Sequence, residues 1–124
     1  MSRVEKIIHK GKEVVYLDFS GLDIQRRDEI KATIENGKKV IETYSHASAL
    51  TLVNFSDTRY SSEVVADFRG FTEHNKSYVK KGAVIGIHGM TKIVFDGVMR
   101  LTGRNLPIFA SKEEAMDWLV SDSD

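Results

Sequence analysis

Short apolar runs alternate with longer segments of helical periodicity along this chain, and this alternation constrains the fold more than any other feature. In the run that contains Val15, Leu17 and Phe19, alternate residues are apolar, which is the period of a β-strand. The helical segments instead repeat their apolar residues every three or four positions. The sequence predicts strands over 4–9, 13–19, 50–53, 82–87 and 106–109, helices over 24–45 and 61–77, and two more helices that begin near Met90 and Ser111.

The resulting element order, β-β-α-β-α-β-α-β-α, predicts an α/β fold with a mainly parallel sheet and right-handed crossovers. The glycine-containing link at 10–12 indicates an antiparallel hairpin at the start of the sheet. The only proline, Pro107, favours the edge of the sheet for the last strand. Because 124 residues suit one hydrophobic core, we expect a single domain over 1–120 with about four helices and a frayed tail over 121–124.

Individual residues predict how the helices begin, bend and pack. Asp23 is a suitable N-cap for the first helix, Gly37 indicates a bend or break within it, and Ser111 with Glu114 forms a capping box. Gly103 suits the residue after the third helix. The side chains expected to face the core are Val64, Val65, Phe68 and Phe71 of the second helix, Met90, Ile93, Val94, Val98 and Leu101 of the third, and Ala115, Trp118 and Leu119 of the last.

The second face of the hairpin carries Val14 and Tyr16. If the helices gather on the other side of the sheet, this apolar face stays uncovered and favours self-association. A homodimer is therefore one expectation from the patterning.

Composition excludes several classes of protein. The chain has no cysteine, which excludes disulfides, thiolate metal sites and cysteine nucleophiles. No run approaches the roughly 18 consecutive apolar residues of a membrane span, and the N-terminus has no signal-peptide pattern. We expect a cytoplasmic protein with no membrane span and no cofactor.

The net charge is zero, yet the segment 76–104 is basic. It holds six cations and one acid, Asp96; the cations are Lys76, Lys80, Lys81, Lys92, Arg100 and Arg104. This segment either attracts an anion or acidic partner, or is simply a solvated rim. Without interleaved aromatic residues it does not predict nucleic-acid binding.

Polar residues collect where two predicted strands end, which is where open α/β sheets bind ligands. One junction offers Ser56, Asp57, Thr58, Arg59, Tyr60, Ser61 and Ser62, and the other offers His88 and Lys92. The helix that follows each junction presents unpaired amide groups, which suit an anion or phosphate. The same serines also suit a simple helix cap.

No catalytic motif of known specificity is present. A hydrolase-like site made of Ser61, Asp57 and His88 is the weakest of three functional hypotheses, so we expect no enzyme. A metal site needs at least three converging ligands, and no spacing among the four histidines and the acids indicates one.

The segment 52–64 (Leu-Val-Asn-Phe-Ser-Asp-Thr-Arg-Tyr-Ser-Ser-Glu-Val) resembles the strand-to-helix turn of STAS domains of the anti-sigma-factor-antagonist type. The segment 86–94, with 103–106 and Phe109, more closely resembles uncharacterised bacterial proteins of the SpoIIAA-like group. That group is often described together with CRAL-TRIO lipid-binding domains on grounds of fold. The resemblance implies a single-domain SpoIIAA-like (STAS-like) fold.

In regulatory STAS members, a kinase phosphorylates a serine at this helix start, and phosphorylation controls partner binding. The resemblance implies that Ser61 and Ser62 occupy this place, although the usual flanking aspartate and glycine are here Tyr60 and Glu63. It implies a non-enzymatic regulatory module that docks a protein partner through 56–62 and the following helix. The alternative is a carrier of a small anionic ligand or lipid, with a pocket between sheet and helices and the basic segment near the head group.

Overall fold

The computed structural model describes residues 2–121, which form one five-stranded sheet with helices on both faces. The strands are β1 (Val4–His9), β2 (Lys12–Asp18), β3 (Ala49–Asn54), β4 (Val79–Ile85) and β5 (Ile108–Phe109). The helices are α1 (Arg27–Ile41), α2 (Ser62–Asn75), α3 (Met90–Thr102) and α4 (Lys112–Val120), with a 3₁₀ turn at Ile24–Arg26. The predicted element order is confirmed.

The strands lie in chain order, β1-β2-β3-β4-β5. β1 and β2 are antiparallel, whereas β2, β3, β4 and β5 are parallel to one another. The predicted hairpin and mainly parallel sheet are therefore confirmed. β5 is an edge strand, as Pro107 indicated, and the Pro107 carbonyl accepts a hydrogen bond of 3.0 Å from the Val84 amide. Of the predicted frayed tail, 122–124 lie outside the described residues.

Two hydrophobic clusters lie on opposite faces of the sheet. The larger cluster packs α1, α2 and α3 against one face, through residues such as Leu17, Val53 and Val84. The smaller cluster packs α4 against the other face. Val14 is fully buried in the smaller cluster, and Lys112 of α4 lies 4.1 Å above the Tyr16 ring. The prediction that this hairpin face is uncovered is wrong, because α4 crosses it. The homodimer prediction rested on an uncovered face, so this support for it is lost, and the oligomeric state stays untested.

α1 is one unbroken helix, so the predicted bend at Gly37 is wrong. Gly37 is needed for close packing: a Cβ atom there would lie 2.7 Å from Leu17 Cδ2 and 2.9 Å from Phe71 Cζ. The helix also ends at Ile41, earlier than predicted. Asp23 does act as a cap, since its carboxylate accepts a 3.0 Å hydrogen bond from the Gln25 amide at the 3₁₀ turn.

α3 faces the core with only some of the predicted residues, since Val98 is buried as predicted but Met90, Ile93 and Leu101 are not. Phe95, Val98 and Thr102 are buried at helical spacing, whereas Met90 is 84 % exposed, Ile93 71 % and Leu101 63 %. The prediction of a single inward stripe through Met90, Ile93 and Leu101 is wrong, because apolar residues occupy two sides of this helix and only one side reaches the sheet. Trp118 of α4 is likewise only partly buried.

Candidate functional site

The two polar junctions predicted from the sequence lie side by side at the carboxyl ends of β3 and β4. These strands are paired neighbours with Asn54 opposite Ile85, and the Phe55 amide donates to the Ile85 carbonyl over 2.9 Å. Gly86 then approaches Ser56 so closely that a Cβ atom on Gly86 would lie 2.3 Å from the Ser56 nitrogen. The structure thus brings the loop at 55–61 against the loop at 86–89.

The first half of the loop at 55–61 is tied to the chain after β2. The Thr58 hydroxyl donates to the Phe19 carbonyl over 2.8 Å, and Thr58 is only 4 % exposed. The Arg59 amide donates to the Leu22 carbonyl, and the Gly21 amide donates to the Ser56 carbonyl. Ser56 and Thr58, both predicted as binding residues, therefore hold the loop in place, Thr58 through its hydroxyl and Ser56 through its backbone amide and carbonyl.

Asp57 and Arg59 project outward from this loop. Both are exposed, and Asp57 has a positive φ of 56°. Within residues 2–121, neither side chain forms an ion pair or a hydrogen bond. Their charged groups are free to meet a partner.

Tyr60 points inward, away from a docking partner. Its ring packs against Phe55 and Phe68, with centroid distances of 6.2 and 6.0 Å. Burial raises the pKa of the Tyr60 phenol because a less polar surrounding disfavours the phenolate. The aromatic contacts anchor the loop to α2.

The two candidate phosphorylation sites differ in what they do. The Ser61 hydroxyl is the N-cap of α2 and accepts a 3.2 Å hydrogen bond from the Val64 amide. Ser62 is exposed, and its hydroxyl donates to the Glu63 carboxylate over 2.8 Å. Ser61 has a structural role, whereas Ser62 is accessible.

We expect Ser61→Ala to lower the free energy of unfolding by about 1 kcal/mol, because an alanine leaves the Val64 amide without its cap. Ser62→Ala removes only an exposed contact, so its effect is expected to stay within about 0.5 kcal/mol. Urea denaturation of both variants followed by circular dichroism measures the difference. Equal losses would show that Ser61 does not cap the helix.

The second junction contributes little anion-binding capacity. The His88 amide donates to the Thr91 hydroxyl over 3.2 Å, and that hydroxyl donates to the His88 carbonyl over 2.6 Å. Lys92 pairs with Asp96 at 2.9 Å. No hydrogen bond joins Ser61, Asp57 and His88 within residues 2–121, so the structure does not assemble the hydrolase-like arrangement.

Exposed apolar residues, which were not predicted from the sequence, follow the second of these loops. Met90 and Ile93 lie in the first turn of α3, directly after the loop at 86–89. α3 has apolar residues at 90, 93, 95, 98 and 101, more than a single helical stripe holds, and this excess was the available signal. We call Arg59, Ser62, Met90 and Ile93 the docking face.

A cavity lies between the sheet and the helices α2 and α3. Its volume is ≈ 40 Å³ when measured as the space open to the centre of a water-sized sphere. Apolar side chains form most of the wall, with Tyr60 and Arg104 among the polar exceptions. The sequence analysis predicted a pocket in this layer but did not assign its residues.

Within residues 2–121, no group of three or more histidine and acidic side chains is placed to hold a metal ion. No helix among the same residues is long and apolar enough to cross a membrane.

Comparisons with known proteins find structural likeness without sequence likeness. No family model and no curated protein matches the chain. A solved structure of an uncharacterised DUF3478-family protein with a SpoIIAA-like fold, from Shewanella loihica PV-4, has a TM-score of 0.69 and 14 % identity, covering 94 % of this chain and 91 % of that one. An anti-sigma-factor antagonist (STAS) domain protein from Planctomyces limnophilus has a TM-score of 0.62 and 12 % identity, covering 95 % of this chain and 98 % of that one. The protein is therefore a single α/β domain with the SpoIIAA-like fold seen in STAS domains.

Proposed function

We propose that this protein is a non-enzymatic regulatory module that binds a partner protein through the docking face. The observation that carries the proposal is the exposure of two large apolar side chains, Met90 at 84 % and Ile93 at 71 %, which follow the loop that packs against the loop of Arg59, a cation without an ion pair among residues 2–121. One protein that shares this fold is described as an anti-sigma-factor antagonist, which supports a regulatory role.

The energetics of the docking face suit a protein interface. Burying an exposed side chain of the size of Met90 or Ile93 contributes roughly 1.5–3 kcal/mol. Arginine is enriched among the residues that dominate binding energy, and Arg59 has no ion pair or hydrogen bond with the described part of the chain that binding would have to break. The loop that carries Arg59 is already fixed by hydrogen bonds to Phe19 and Leu22, so little further entropy is lost when this loop binds.

We further propose that phosphorylation of Ser62 regulates the binding of the partner protein to the docking face. Ser62 is the exposed serine of the pair and belongs to the docking face, whereas Ser61 holds the helix cap. A phosphate there adds roughly two negative charges beside the start of α2, where the helix dipole tolerates them. The added charge would change which partner surface the docking face accepts.

Site-specific photo-crosslinking in the native host tests the docking function. A photoreactive residue at position 93 is expected to give one discrete adduct with a partner protein, whose mass and peptide sequence identify it. The adduct is expected to fall at least about tenfold when Met90→Asp is added, because a charge at the centre of an apolar contact must lose its water.

The matched control carries the photoreactive residue at Lys39, an exposed position on α1 at a distance from the docking face. The proposal is wrong if position 39 yields the same adduct, or if position 93 yields none. An adduct of two copies of this chain would identify the partner as a second copy and would revive the homodimer hypothesis.

The alternative function, a carrier of a small anionic ligand, is supported by a different observation. The cavity beneath α2 and α3 has Arg104 in its wall, and it does not include the exposed residues of the docking face. The two functions are independent, because a ligand in this cavity leaves Met90 and Ile93 exposed.

A further inference from the structure

We propose that Arg104 and the cavity beside it bind a medium-chain amphipathic monocarboxylate, with the carboxylate at the guanidinium and the chain in the cavity. The inference rests on the carrier function and specifies its ligand and the residues that bind it. Arg104 belongs to the basic segment 76–104, and the site lies away from the start of α2, because Arg104 contacts Thr72, about 15 Å along α2 from Ser62.

Arg104 is a partly buried cation without an acidic partner. Its Nη1 donates to the Thr72 carbonyl over 2.9 Å, and within residues 2–121 no carboxylate pairs with it. Burial lowers the pKa of the guanidinium because a less polar surrounding disfavours the charged form. Fully buried arginines are almost always paired, and Arg104, partly buried and unpaired among the described residues, is able to accept an anion without first breaking an ion pair.

The free atoms of Arg104 fit a carboxylate. With Nη1 used by Thr72, the edge formed by Nε and Nη2 makes no hydrogen bond in the described chain. Two parallel N–H groups on a planar guanidinium match the two oxygens of a carboxylate. A single cation in an apolar wall favours a monoanion over a phosphate dianion, whose desolvation costs more.

Arg104 lies where the cavity meets the surface. It belongs to the wall of the internal cavity and also to two surface grooves, of ≈ 570 and ≈ 280 Å³, that share Arg104 and Leu106 with it. An anion held at Arg104 therefore keeps one side toward water while its chain enters the interior. Lys76, which donates to the Thr102 carbonyl over 3.4 Å, adds positive charge nearby.

The interior beyond Arg104 suits an alkyl chain. Phe68, Phe95 and Val98 contribute apolar wall, and Tyr60 lines the same cavity. The Thr51 hydroxyl, on a residue only 5 % exposed, makes no hydrogen bond within residues 2–121 and lines the cavity as well. A volume of ≈ 40 Å³ is about three times the roughly 10–15 Å³ that one water needs, so the cavity admits only a chain of limited length.

Titration of the ¹⁵N-labelled protein with sodium octanoate tests this site by NMR. Octanoate is expected to bind saturably and to shift the amide signals of Thr51, Tyr60 and Arg104. Octan-1-ol is expected to bind at least about tenfold more weakly, because it cannot form the charge-assisted hydrogen bonds. Acetate is also expected to bind more weakly than octanoate, because it has no alkyl chain to contact the apolar wall. Palmitate is expected to bind more weakly because its chain is too long for the cavity.

Arg104→Gln is expected to weaken octanoate binding at least about tenfold and to leave octanol binding unchanged. The matched control is Arg69→Gln, an exposed arginine of α2 that lines neither the cavity nor the two grooves beside Arg104, and this variant should bind octanoate normally. Val98→Phe fills the cavity and is expected to abolish binding of both ligands while Arg104 remains. If Arg104→Gln does not fold, Arg104→Lys keeps the charge without the planar fork and should weaken octanoate selectively.

The outcomes distinguish a failure of the carrier function from a failure of the carboxylate assignment at Arg104. If neither octanoate nor octanol binds at millimolar concentration, the carrier function itself is overturned. If both bind equally, or if Arg104→Gln binds octanoate normally, the cavity takes ligands but the assignment of an anion to Arg104 is wrong. Affinity that still rises at palmitate would overturn the medium-chain assignment.

Discussion

Gly86→Ala is expected to lower the free energy of unfolding by roughly 2–5 kcal/mol, the sum of two effects. Gly86 has a positive φ of 83°, a conformation that costs an alanine about 1–2 kcal/mol. The new Cβ would also lie 2.3 Å from the Ser56 nitrogen and 2.6 Å from its Cα, so the two loops must separate. Because backbone atoms cannot rotate away as a side chain can, this displacement adds about 1–3 kcal/mol.

Gly11→Ala is the matched control for this prediction. Gly11, in the turn between β1 and β2, has the same φ of 83°, but a Cβ there would meet nothing within 4 Å. Its cost is therefore the conformational one alone, about 1–2 kcal/mol. Urea denaturation followed by circular dichroism gives both values. If the two variants lose equal stability, the loops at 55–61 and 86–89 are not in the contact described, and the docking face loses its support.

Phe68→Ala is expected to cost about 3–5 kcal/mol, because it empties the centre of the aromatic cluster beneath the docking face. Phe68 is 4 % exposed and packs edge-on against Phe19 at 4.8 Å and Phe55 at 5.0 Å. Its removal deletes these contacts and leaves a space that rigid neighbours fill only in part. Thermal or urea denaturation measures the loss.

Phe109→Ala, the same substitution at a partly buried position of the edge strand, provides the comparison. It is expected to cost under about 2 kcal/mol, since a partly exposed ring loses less buried area. A loss as large as that of Phe68→Ala would mean that the aromatic cluster is not the main support of this region.

Much of the fold could be predicted from local pattern. Period-two alternation identified β2, and the capping box identified Ser111 as a cap, while the start of α2 was placed at Ser61 or Ser62 and the structure has the cap at Ser61. Pro107 identified the sheet edge. These predictions succeeded because hydrogen bonds within a turn, and the loss of one donor at proline, depend only on residues close in sequence.

The candidate site could be predicted only in outline. The two junctions meet as expected, because parallel neighbouring strands end at one edge. The roles of individual residues in these junctions could not be predicted from the sequence. The buried Thr58 hydroxyl donates to the Phe19 carbonyl, Tyr60 packs in the core, and Lys92 pairs with Asp96. Each role depends on a neighbour that only the fold supplies, such as the carbonyl of Phe19, which is distant in sequence from Thr58.

The sequence by itself therefore determined the element order, the helix caps and the class of fold, since all three rest on interactions between residues near one another in the chain. Tertiary structure alone decided which face of α3 is buried, why α1 has Gly37 and where Arg104 lies. In each of these cases the deciding contact joins elements far apart in sequence: α3 with the sheet, Gly37 with Leu17 and Phe71, and Arg104 with Thr72. Periodicity shows that a helix has an apolar side, but the packing partner determines which side is buried and which remains available for binding.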